Sequence, residues 1–361
     1  MKNKFILILL SFLVYSCTKR QDVSLNFLDE YILKDSLSFN NSIIGGLSGV
    51  DYSKGYYYFV IDDAKTPRFL KAKINIQKNK IQSIDFKKVV YLKDSTTPFY
   101  KDYVLDLESI FIDEETQQVN FVSEGSIKRL KSPSVFTTDS LGNFIHNYKI
   151  PDYFVPNSIV KLKHNGVFEG SSKSIDHKGF WVAMESPLLV DGDEPTLKKT
   201  SSPVRITYFD KEKKQATKQY AYQLESISKP PKGNINLNGV TSILEFKKNN
   251  FLIVERAYQS GYGVYGNTLR IFHASIDDKS TNVLEIESLK KTKYTPINKR
   301  LLLDFNDIKS QLTESIIDNI EGITFGPKLE NGNQSLLLIT DDNFQAYGRQ
   351  INQFILLEIQ N

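Results

Sequence analysis

The sequence predicts an all-β fold, a β-propeller of four-stranded blades. One sequence unit occurs five times: a first strand anchored on Gly or Ser, a polar turn, and a second strand that ends on an acid. The anchors lie about 60 to 80 residues apart, and such a repeat is typical of a propeller or solenoid. Most units hold two further strand-like runs, and four strands make one propeller blade. Phe (23) and Tyr (19) are abundant whereas Met (2) is scarce, a composition that favours strands.

The five units are recognised by their first and second strands. In chain order these pairs are 46–52 with 56–61, 107–112 with 119–123, 168–171 with 180–184, 238–243 with 251–254, and 322–325 with 335–340. Turn-forming residues separate the two members of each pair. The third and fourth strands are clearest at 68–74 and 81–92 in the first unit, and at 204–210 and 216–224 in the third.

The last unit has only three strands, whereas a strand predicted at 23–33 belongs to no unit. We expect this N-terminal strand to complete the last blade, which closes the ring and protects the sheet edges. Five blades are counted, and a sixth, degenerate blade could lie within 284–305. A helix is expected at 306–319.

The N-terminus predicts export. Lys2 and Lys4 precede an apolar run at 5–14 that is too short to span a membrane, so residues 1–16 read as a signal peptide. No other transmembrane segment is evident in the sequence.

Cys17 is the only cysteine, and Tyr15-Ser16 before it resembles the lipobox of bacterial lipoproteins, although tyrosine is unusual there. The resemblance predicts lipidation of Cys17, a tether at 17–22 and one propeller domain at 23–361. The chain would then be anchored to a membrane by lipid in the cell envelope, on the outer-membrane or periplasmic side of a Gram-negative-type bacterium. The alternative is an ordinary secretory signal with an incidental cysteine.

The formal net charge is only +4 over 361 residues, whereas nucleic-acid binding needs a clustered basic face. This balance gives no basis for nucleic-acid binding. We expect a monomer.

Two columns of polar residues emerge when the units are aligned. The second strand ends on an acid in every unit: Asp62, Glu124, Glu185, Glu255 and Asp341. The position before the anchoring Gly or Ser is polar throughout and acidic in three units: Ser48, Glu108, Glu169, Asn238 and Glu321. The start of one antiparallel strand and the end of the next lie at the same end of the pair, so both columns should meet at one mouth of the central channel.

Carboxylates this close cannot all stay ionised without compensation. Three kinds of compensation are possible. Arginines such as Arg68 and Arg256 could pair with the acids, or the acid oxygens could bind a hard cation, for which Ca²⁺ is preferred. Alternatively, the carboxyl pKa values could be raised, which would suit acid–base catalysis. In a fourth interpretation the acids are structural latches that bind backbone N–H groups and arginines.

If the channel mouth is a functional site, we expect the following roles for these residues. The expected catalytic residues are Glu169, Glu255 and Arg256, and the expected ligand-binding residues are Arg68 and Asn343. The expected metal ligands are Asp62, Glu108, Glu124, Glu185, Glu321, Asp341 and Asp342.

Other motifs in the sequence give weaker indications of function. The G-x-G-x-x-G pattern at 261–266 is followed by a strand-like run and not by the helix that a nucleotide site needs. The chain has no G-x-S-x-G motif and no histidine pair with metal-ligand spacing.

The repeats also resemble a known family, the phytase-like β-propeller domain named for an esterase-like activity of phytase. The matching pieces are LSGVDY at 47–52, DD at 62–63, PRF at 67–69, LESI at 107–110, EG at 124–125, FEG at 168–170, WVAME at 181–185, GVTS at 239–242, LIVERA at 252–257, NIEG at 319–322 and LLITDDNF at 337–344. The chain departs from the family at Asp63, where Arg is frequent, and at Ser109, where Gly is common.

The resemblance implies hydrolysis of an ester or phosphoester. Calcium-dependent propeller phytases are six-bladed and place Ca²⁺ and phosphate at an acid-rich channel mouth. Their metal ligands are not matched residue by residue in this chain, so no ligand is transferred from them. Two hypotheses follow. One is a metal-assisted esterase or phosphoesterase in which Arg68 and Arg256 grip a small anionic substrate. The other is a non-catalytic propeller that binds a ligand or protein at the envelope.

Overall fold

The computed structural model describes residues 23–92, 97–156, 162–163 and 165–360, and strands dominate throughout. Blade 1 comprises β4 (Leu47–Ser53), β5 (Tyr56–Ile61), β6 (Arg68–Gln77) and β7 (Lys80–Tyr91). Blade 2 comprises β8 (Leu107–Ile112), β9 (Val119–Ser123), β10 (Ser134–Thr138) and β11 (Phe144–Asn147). Blade 3 comprises β12 (Phe168–Lys173), β13 (Gly179–Met184), β14 (Pro203–Asp210) and β15 (Gln215–Gln223).

Blade 4 comprises β16 (Asn236–Lys247), β17 (Asn250–Gln259), β18 (Asn267–Ser275) and β19 (Asn298–Asp304). Blade 5 comprises β20 (Ile320–Lys328), β21 (Gln334–Thr340), β22 (Asn352–Gln360) and β1 (Ser24–Leu33). The small hairpin of β2 (Ser38–Phe39) and β3 (Ser42–Ile43) and the helix α1 (Phe99–Asp102) lie in connections between blades. Short 3-10 turns occupy Ile127–Arg129, Asp152–Phe154, Gly263–Tyr265, Leu289–Lys291, Phe305–Asp307, Lys309–Gln311, Thr313–Ser315 and Asn343–Gln345.

The predicted fold is confirmed: the chain is an all-β propeller of five antiparallel, four-stranded blades. The N-terminal strand closes the ring as expected, because β1 pairs with β22 from Ser24↔Gln360 to Leu33↔Asn352. This pairing gives blade 5 its fourth strand and leaves β22 without an open edge.

The five innermost strands touch one another around the axis, and a Ser or Thr hydroxyl bridges every interface between blades. These bonds are Ser48 Oγ to Leu107 O (2.7 Å), Ser171 N to Ser109 Oγ (3.1 Å), Glu245 N to Ser172 Oγ (2.7 Å), Thr241 Oγ1 to Ile320 O (2.8 Å) and Tyr52 N to Thr324 Oγ1 (3.1 Å). The backbones approach so closely that a Cβ on Gly170 would lie 2.7 Å from Ser242 Cα. Only a small residue fits at such an anchor.

Aromatic side chains fill the space between the blades further out. Phe69 of blade 1 lies 5.6 Å from Phe121 of blade 2, measured between ring centroids. Trp181 itself meets Phe251 of blade 4 at 5.1 Å in an edge-to-face arrangement. The core therefore lies between the sheets, and no disulfide is needed to join them.

Two expectations fail in the connection before blade 5 and in blade 4. Residues 284–305 do not form a sixth blade: their last part is β19, and the earlier part crosses to the outer strand of blade 3, where Val283 N donates to Gln219 O at 2.8 Å and Ile297 N to Ala221 O at 2.9 Å. The crossing covers the edge of β15, which explains its strand-like apolar residues. The expected helix at 306–319 is instead a series of 3-10 turns.

The expected signal peptide and lipidation site, including Cys17, lie outside the described residues. Among the described residues, no helix has the length and apolarity to cross a membrane.

The axis packing makes a testable prediction at Gly170. Gly170→Ala should lower the free energy of unfolding by about 1–3 kcal/mol, because the new methyl group meets the backbone of Ser242 and Ile243. Denaturant unfolding measures this loss. A Gly170→Ala variant as stable as the wild type would contradict the close approach.

Candidate active site at the acidic channel mouth

One end of the channel gathers the starts of the first strands and the ends of the second strands. In every blade a β-bulge interrupts this pairing, so that one extra residue of the first strand points towards the axis. The bulge residues are Ser48, Glu108, Glu169, Thr241 and Glu321. On the second strand, the residues one position beyond the pair that flanks the bulge on its mouth side are Asp62, Glu124, Glu185, Arg256 and Asp341.

Blade 4 therefore departs from the alignment expected from the sequence. Because Val240 pairs with Glu255 and Ser242 with Val254, the bulge residue is Thr241 and not Asn238. The channel position of the second strand is likewise Arg256, one residue beyond Glu255. The ring thus contains four acids and one arginine, and not five acids.

Glu255 lies on the opposite face of its strand, away from the channel. Its buried carboxylate accepts hydrogen bonds from Tyr222 Oη (2.5 Å) and Asn238 Nδ2 (2.8 Å) and pairs with Lys299 Nζ (2.8 Å). Burial and the neighbouring Glu255 hold the pKa of Tyr222 well above its ordinary value. The structure does not bring Glu255 together with the other expected site residues.

Eight carboxylates converge at the mouth and form what we call the acid cluster. They are Asp62, Asp106, Glu108, Glu124, Glu169, Glu185, Glu321 and Asp341. Glu108, Glu169 and Glu321 each offer an oxygen within 4.8 Å of the others, and so do Asp62, Asp106 and Glu108. Glu108 belongs to both triads and joins them.

Asp106 was not among the residues expected from the sequence. It lies just before β8, and Glu124 N donates to its carbonyl oxygen at 3.0 Å, which pairs it with the ring position of blade 2. The sequence signal that could have identified Asp106 is its position two residues before Glu108, which belongs to one of the aligned columns. Asp106 falls in neither aligned column, so the repeat comparison passed over it.

Burial in the cluster raises the pKa of several members. The pKa of Asp62 rises to about 10, because burial and the adjacent Asp106 both disfavour its charged form. Burial raises the pKa of Glu124 to about 8, although the N–H groups of Gly166 and Val167 partly oppose the shift. Burial also raises the pKa of Asp341 to about 7.

The central triad shows the same effect. Burial first, and then repulsion from neighbouring carboxylates, hold the pKa values of Glu108, Glu169 and Glu321 well above the ordinary value for glutamate. Arg256 opposes the shift at Glu169 and Glu321 but does not cancel it. The cluster is therefore under strong pressure to hold protons or to share a cation.

Arg256 is the cation that the described residues place in ion pairs with the cluster. Its guanidinium donates to Glu185 Oε1 at 3.1 Å and to Asn319 Oδ1, and it lies 3.6 Å from Glu321 Oε1. Burial alone would lower the pKa of Arg256, but Glu321, Glu185 and Glu169 together raise it. Its Nε is buried without a hydrogen-bond partner among the described residues.

Arg68 is buried in a pocket of its own beside the mouth. It donates to Asp63 Oδ2 (2.7 Å), Ser42 Oγ (2.8 Å) and the carbonyl of Thr66 (2.8 Å). Asp63, the residue that stands where the family often has Arg, is therefore the partner of Arg68. Both arginines expected to grip an anion are already engaged.

Asn343 and Asp342 lie in the loop after β21. Asn343 has a left-handed backbone (φ 46°) and donates through its N–H to Asp341 Oδ1 at 2.6 Å. Asp342 turns away from the axis and joins the last blade to the first, because it accepts from Gly46 N (2.8 Å) and Asn352 Nδ2 (2.9 Å). This geometry makes Asp342 a latch between blades 5 and 1.

The latch predicts a large effect at Asp342. Asp342→Ala should lower the free energy of unfolding by about 2–4 kcal/mol, because it leaves buried donors at Gly46 and Asn352 without an acceptor. Asp342→Asn keeps an acceptor oxygen and should lose less than half as much. Chemical denaturation of the two variants compares them, and equal losses would count against the latch.

The raised pKa values predict that stability falls as the pH rises. An unfolded Asp or Glu loses its proton near pH 4, whereas the folded groups keep theirs up to about pH 7 (Asp341), 8 (Glu124) and 10 (Asp62). Between these limits the folded state binds more protons, so the free energy of unfolding decreases as pH increases. In a chelator, the melting temperature should drop steadily from pH 5 to pH 9.

The control for this trend is the double variant Asp62→Asn, Glu124→Gln. It removes two of the raised groups while keeping their shapes, so its melting temperature should depend less on pH and exceed that of the wild type at pH 9. Parallel curves for the two proteins would show that the acid cluster does not cause the trend.

Comparison with solved structures finds other chains of low similarity. A thermostable family-43 glycoside hydrolase is 10% identical with a TM-score of 0.47, and the match covers 88% of this chain and 94% of that one. An exo-β-1,3-galactanase from Phanerochaete chrysosporium is 10% identical (TM-score 0.45, 93% and 64% covered), and the hydrazine synthase of Kuenenia stuttgartiensis is 9% identical (0.36, 81% and 64%). The chain thus spans less than two thirds of the last two proteins, and these values carry no information on activity.

A search of curated protein sequences finds no significant match. The phytase-like family, described as "Esterase-like activity of phytase", matches residues 42–344. That span includes the acid cluster, all strands of blades 1 to 4, and β20 and β21 of blade 5. The chain belongs to this phytase-like family.

Proposed function

We propose that the protein is a hydrolase of esters or phosphoesters that binds Ca²⁺ at the acid cluster. The observation that carries the proposal is the convergence of eight carboxylates on one channel mouth with a single guanidinium in ion-pair contact among the described residues. The family's description, an esterase-like activity, supports the reaction class.

The donor set fits a hard cation. Calcium takes six to eight oxygen ligands at about 2.3–2.6 Å, so its ligand oxygens lie a few ångströms apart. Glu108, Glu169 and Glu321 place oxygens within 4.8 Å of one another, and Asp62 and Asp106 extend the set through Glu108. No histidine or cysteine belongs to either triad, which favours Ca²⁺ over softer metals.

The remaining residues prepare the site. A bound Ca²⁺ would supply positive charge that offsets the carboxylates and polarises a substrate oxygen. Arg256 orients Glu185 and Glu321, and its unpaired Nε can donate to a ligand oxygen. Asp62 is hydrogen-bonded to Asp106 and holds a proton at neutral pH, which makes it a candidate proton donor.

The charge of the mouth limits the substrate. Without a cation, the carboxylates repel a phosphate group, and Arg68 is held by Asp63. A phosphoester therefore requires the metal, whereas a neutral ester does not.

A second candidate function is a non-catalytic, ligand-binding propeller. It is favoured by acids that act as latches between blades: Glu124 accepts from Gly166 N at 3.0 Å, and Asp51 accepts from Ile112 N at 2.8 Å and pairs with Lys173. These contacts show that part of the buried charge is structural. In the described chain, the carboxylates of the central triad, Glu108, Glu169 and Glu321, accept no such hydrogen bond from a backbone N–H, and for that reason we favour the enzyme.

The expected lipid anchor at Cys17 and the location in the cell envelope are part of the same proposal and rest on the sequence alone. An envelope location would expose the site to millimolar extracellular-type calcium, for which weak sites suffice.

Calcium binding tests the proposal first. Calorimetry on the purified protein near pH 8 should show binding, and Glu169→Gln, Glu321→Gln should weaken it at least about tenfold, because two of the three carboxylates of the central triad lose their charge. Glu255→Gln is the matched control, since this carboxylate faces away from the channel and should leave the affinity unchanged.

Activity is then measured on p-nitrophenyl acetate and p-nitrophenyl phosphate, with calcium and with a chelator. Calcium-dependent hydrolysis that is lost in Glu169→Gln, Glu321→Gln but retained in Glu255→Gln is the expected result. If the folded wild type binds no calcium and hydrolyses neither ester, the binding propeller becomes the better account.

A further inference from the structure

A basic, aromatic projection rises beside the acidic mouth. Strands β16 and β17 continue past the channel: their last pair, Asn236↔Gln259, lies three residues beyond Arg256, or about 10 Å at the usual strand rise. The segments 229–235 and 260–266 cap this extension, and we call them the blade 4 crest. The crest is tied together by Lys232 N to Ser260 O (3.0 Å) and by Tyr262 Oη to Pro230 O (2.9 Å).

Two lysines of the crest, together with Lys309 from the turn at Lys309–Gln311, surround two tyrosines of the crest. The ammonium groups of Lys229 and Lys232 lie 4.5 Å and 4.4 Å from the centre of the Tyr262 ring. Lys229 also donates to the carbonyl of Tyr265 at 2.7 Å, and Lys309 lies 5.4 Å from the Tyr265 ring. The tyrosine rings attract the cations but do not neutralise them.

No carboxylate compensates this charge within the part of the chain that the structure describes. Lys229, Lys232 and Lys309 take part in none of its ion pairs, whereas the nearby acids Glu225 and Glu314 pair with Lys299 and Arg349. Burial lowers the pKa of Lys229, and repulsion from Lys309 and Lys232 lowers it further. The described chain thus gathers three ammonium groups without a carboxylate partner, and a bound anion would stabilise this arrangement.

We propose that the blade 4 crest is a binding site for a phosphate group, held between Lys229, Lys232 and Lys309. Lysine is a compact charge with three donors and suits a phosphate. Tyr265, with 44% of its surface exposed, offers a ring face on which the apolar or sugar part of the ligand can stack.

The site complements the mouth but does not depend on its activity. Both arginines near the mouth are engaged by Asp63 or by Glu185, so the crest provides free positive charge where the mouth provides none. A phosphorylated small molecule and the phosphate of a lipid headgroup share the chemistry that the crest recognises, and the experiment must separate them.

Pyrophosphate is the first probe, titrated by calorimetry at low ionic strength in the presence of EDTA, so that no metal can bridge it to the acid cluster. We expect binding by the wild type and a loss of at least about tenfold in affinity in Lys229→Gln, Lys232→Gln. The matched control is Lys71→Gln, Lys73→Gln, which removes two lysines that also approach one tyrosine ring, Tyr56, at 3.9 Å and 5.0 Å. This control should bind like the wild type, because both lysines lie on β6 of blade 1 and their replacement leaves the crest intact.

Co-sedimentation with phosphatidylglycerol vesicles, compared with phosphatidylcholine vesicles, is the second arm. Pyrophosphate binding lost only in the crest variant assigns the site to soluble phosphates, and vesicle binding without pyrophosphate binding, lost in the same variant, assigns it to headgroups. Equal losses in both lysine variants, or no binding in either assay, would overturn the proposal.

A variant of the acid cluster separates this result from the proposed hydrolase. Glu169→Gln, Glu321→Gln should keep the pyrophosphate affinity of the wild type in EDTA, because it leaves the crest intact. The experiments can therefore show no phosphate binding at the crest while calcium binding at the acid cluster is confirmed, or phosphate binding without calcium binding.

Discussion

The rest of the structure depends on the close packing of five first strands, whose backbones contact one another around the propeller axis. The approach at Gly49 and Gly170 leaves no room for a side chain between neighbouring first strands, and serine or threonine hydroxyls satisfy backbone groups that the sheets cannot reach. Each blade also bulges at the mouth, and the bulge turns one residue per blade inward at the same level. The site is thus a product of the packing: whatever stands at the bulge faces its counterparts from the other blades.

The choice of residues at those positions then determines the electrostatics. Glutamate at three of five bulges and acids at four of five strand ends concentrate negative charge where little water remains. Arg256 interrupts the ring and ties Glu185 to Glu321, so the charge is unevenly distributed around the axis. The side facing blades 3 to 5 is partly neutralised, whereas Asp62, Asp106 and Glu108 face one another without a cation in ion-pair contact among the described residues.

The repeats allow the fold to be predicted from the sequence, but an alignment of repeats predicts the site residues only in part. The strand pairs follow from patterns that recur in every unit, and the closing role of β1 follows from the fourth strand that the last unit lacks. The bulge is invisible in such a pattern, so Glu255 was aligned with the acids although the register turns Arg256 inward. Asp106 lies outside both columns, and Lys229, Tyr262 and Lys309 meet only through the fold. The apolar stretch within 284–305 resembles blade strands because it covers β15.

The closure by β1 has a further consequence for how the molecule assembles. Its partner β22 lies on the order of 300 residues away in the chain, so the two strands find each other only after a long loop has been ordered, and the ring closes slowly. Until then β22 presents a row of unpaired backbone groups, and β1 of a second copy fits that edge as well as its own does. At high concentration during refolding, exchange of β1 between two chains would yield a domain-swapped dimer in which each ring is complete.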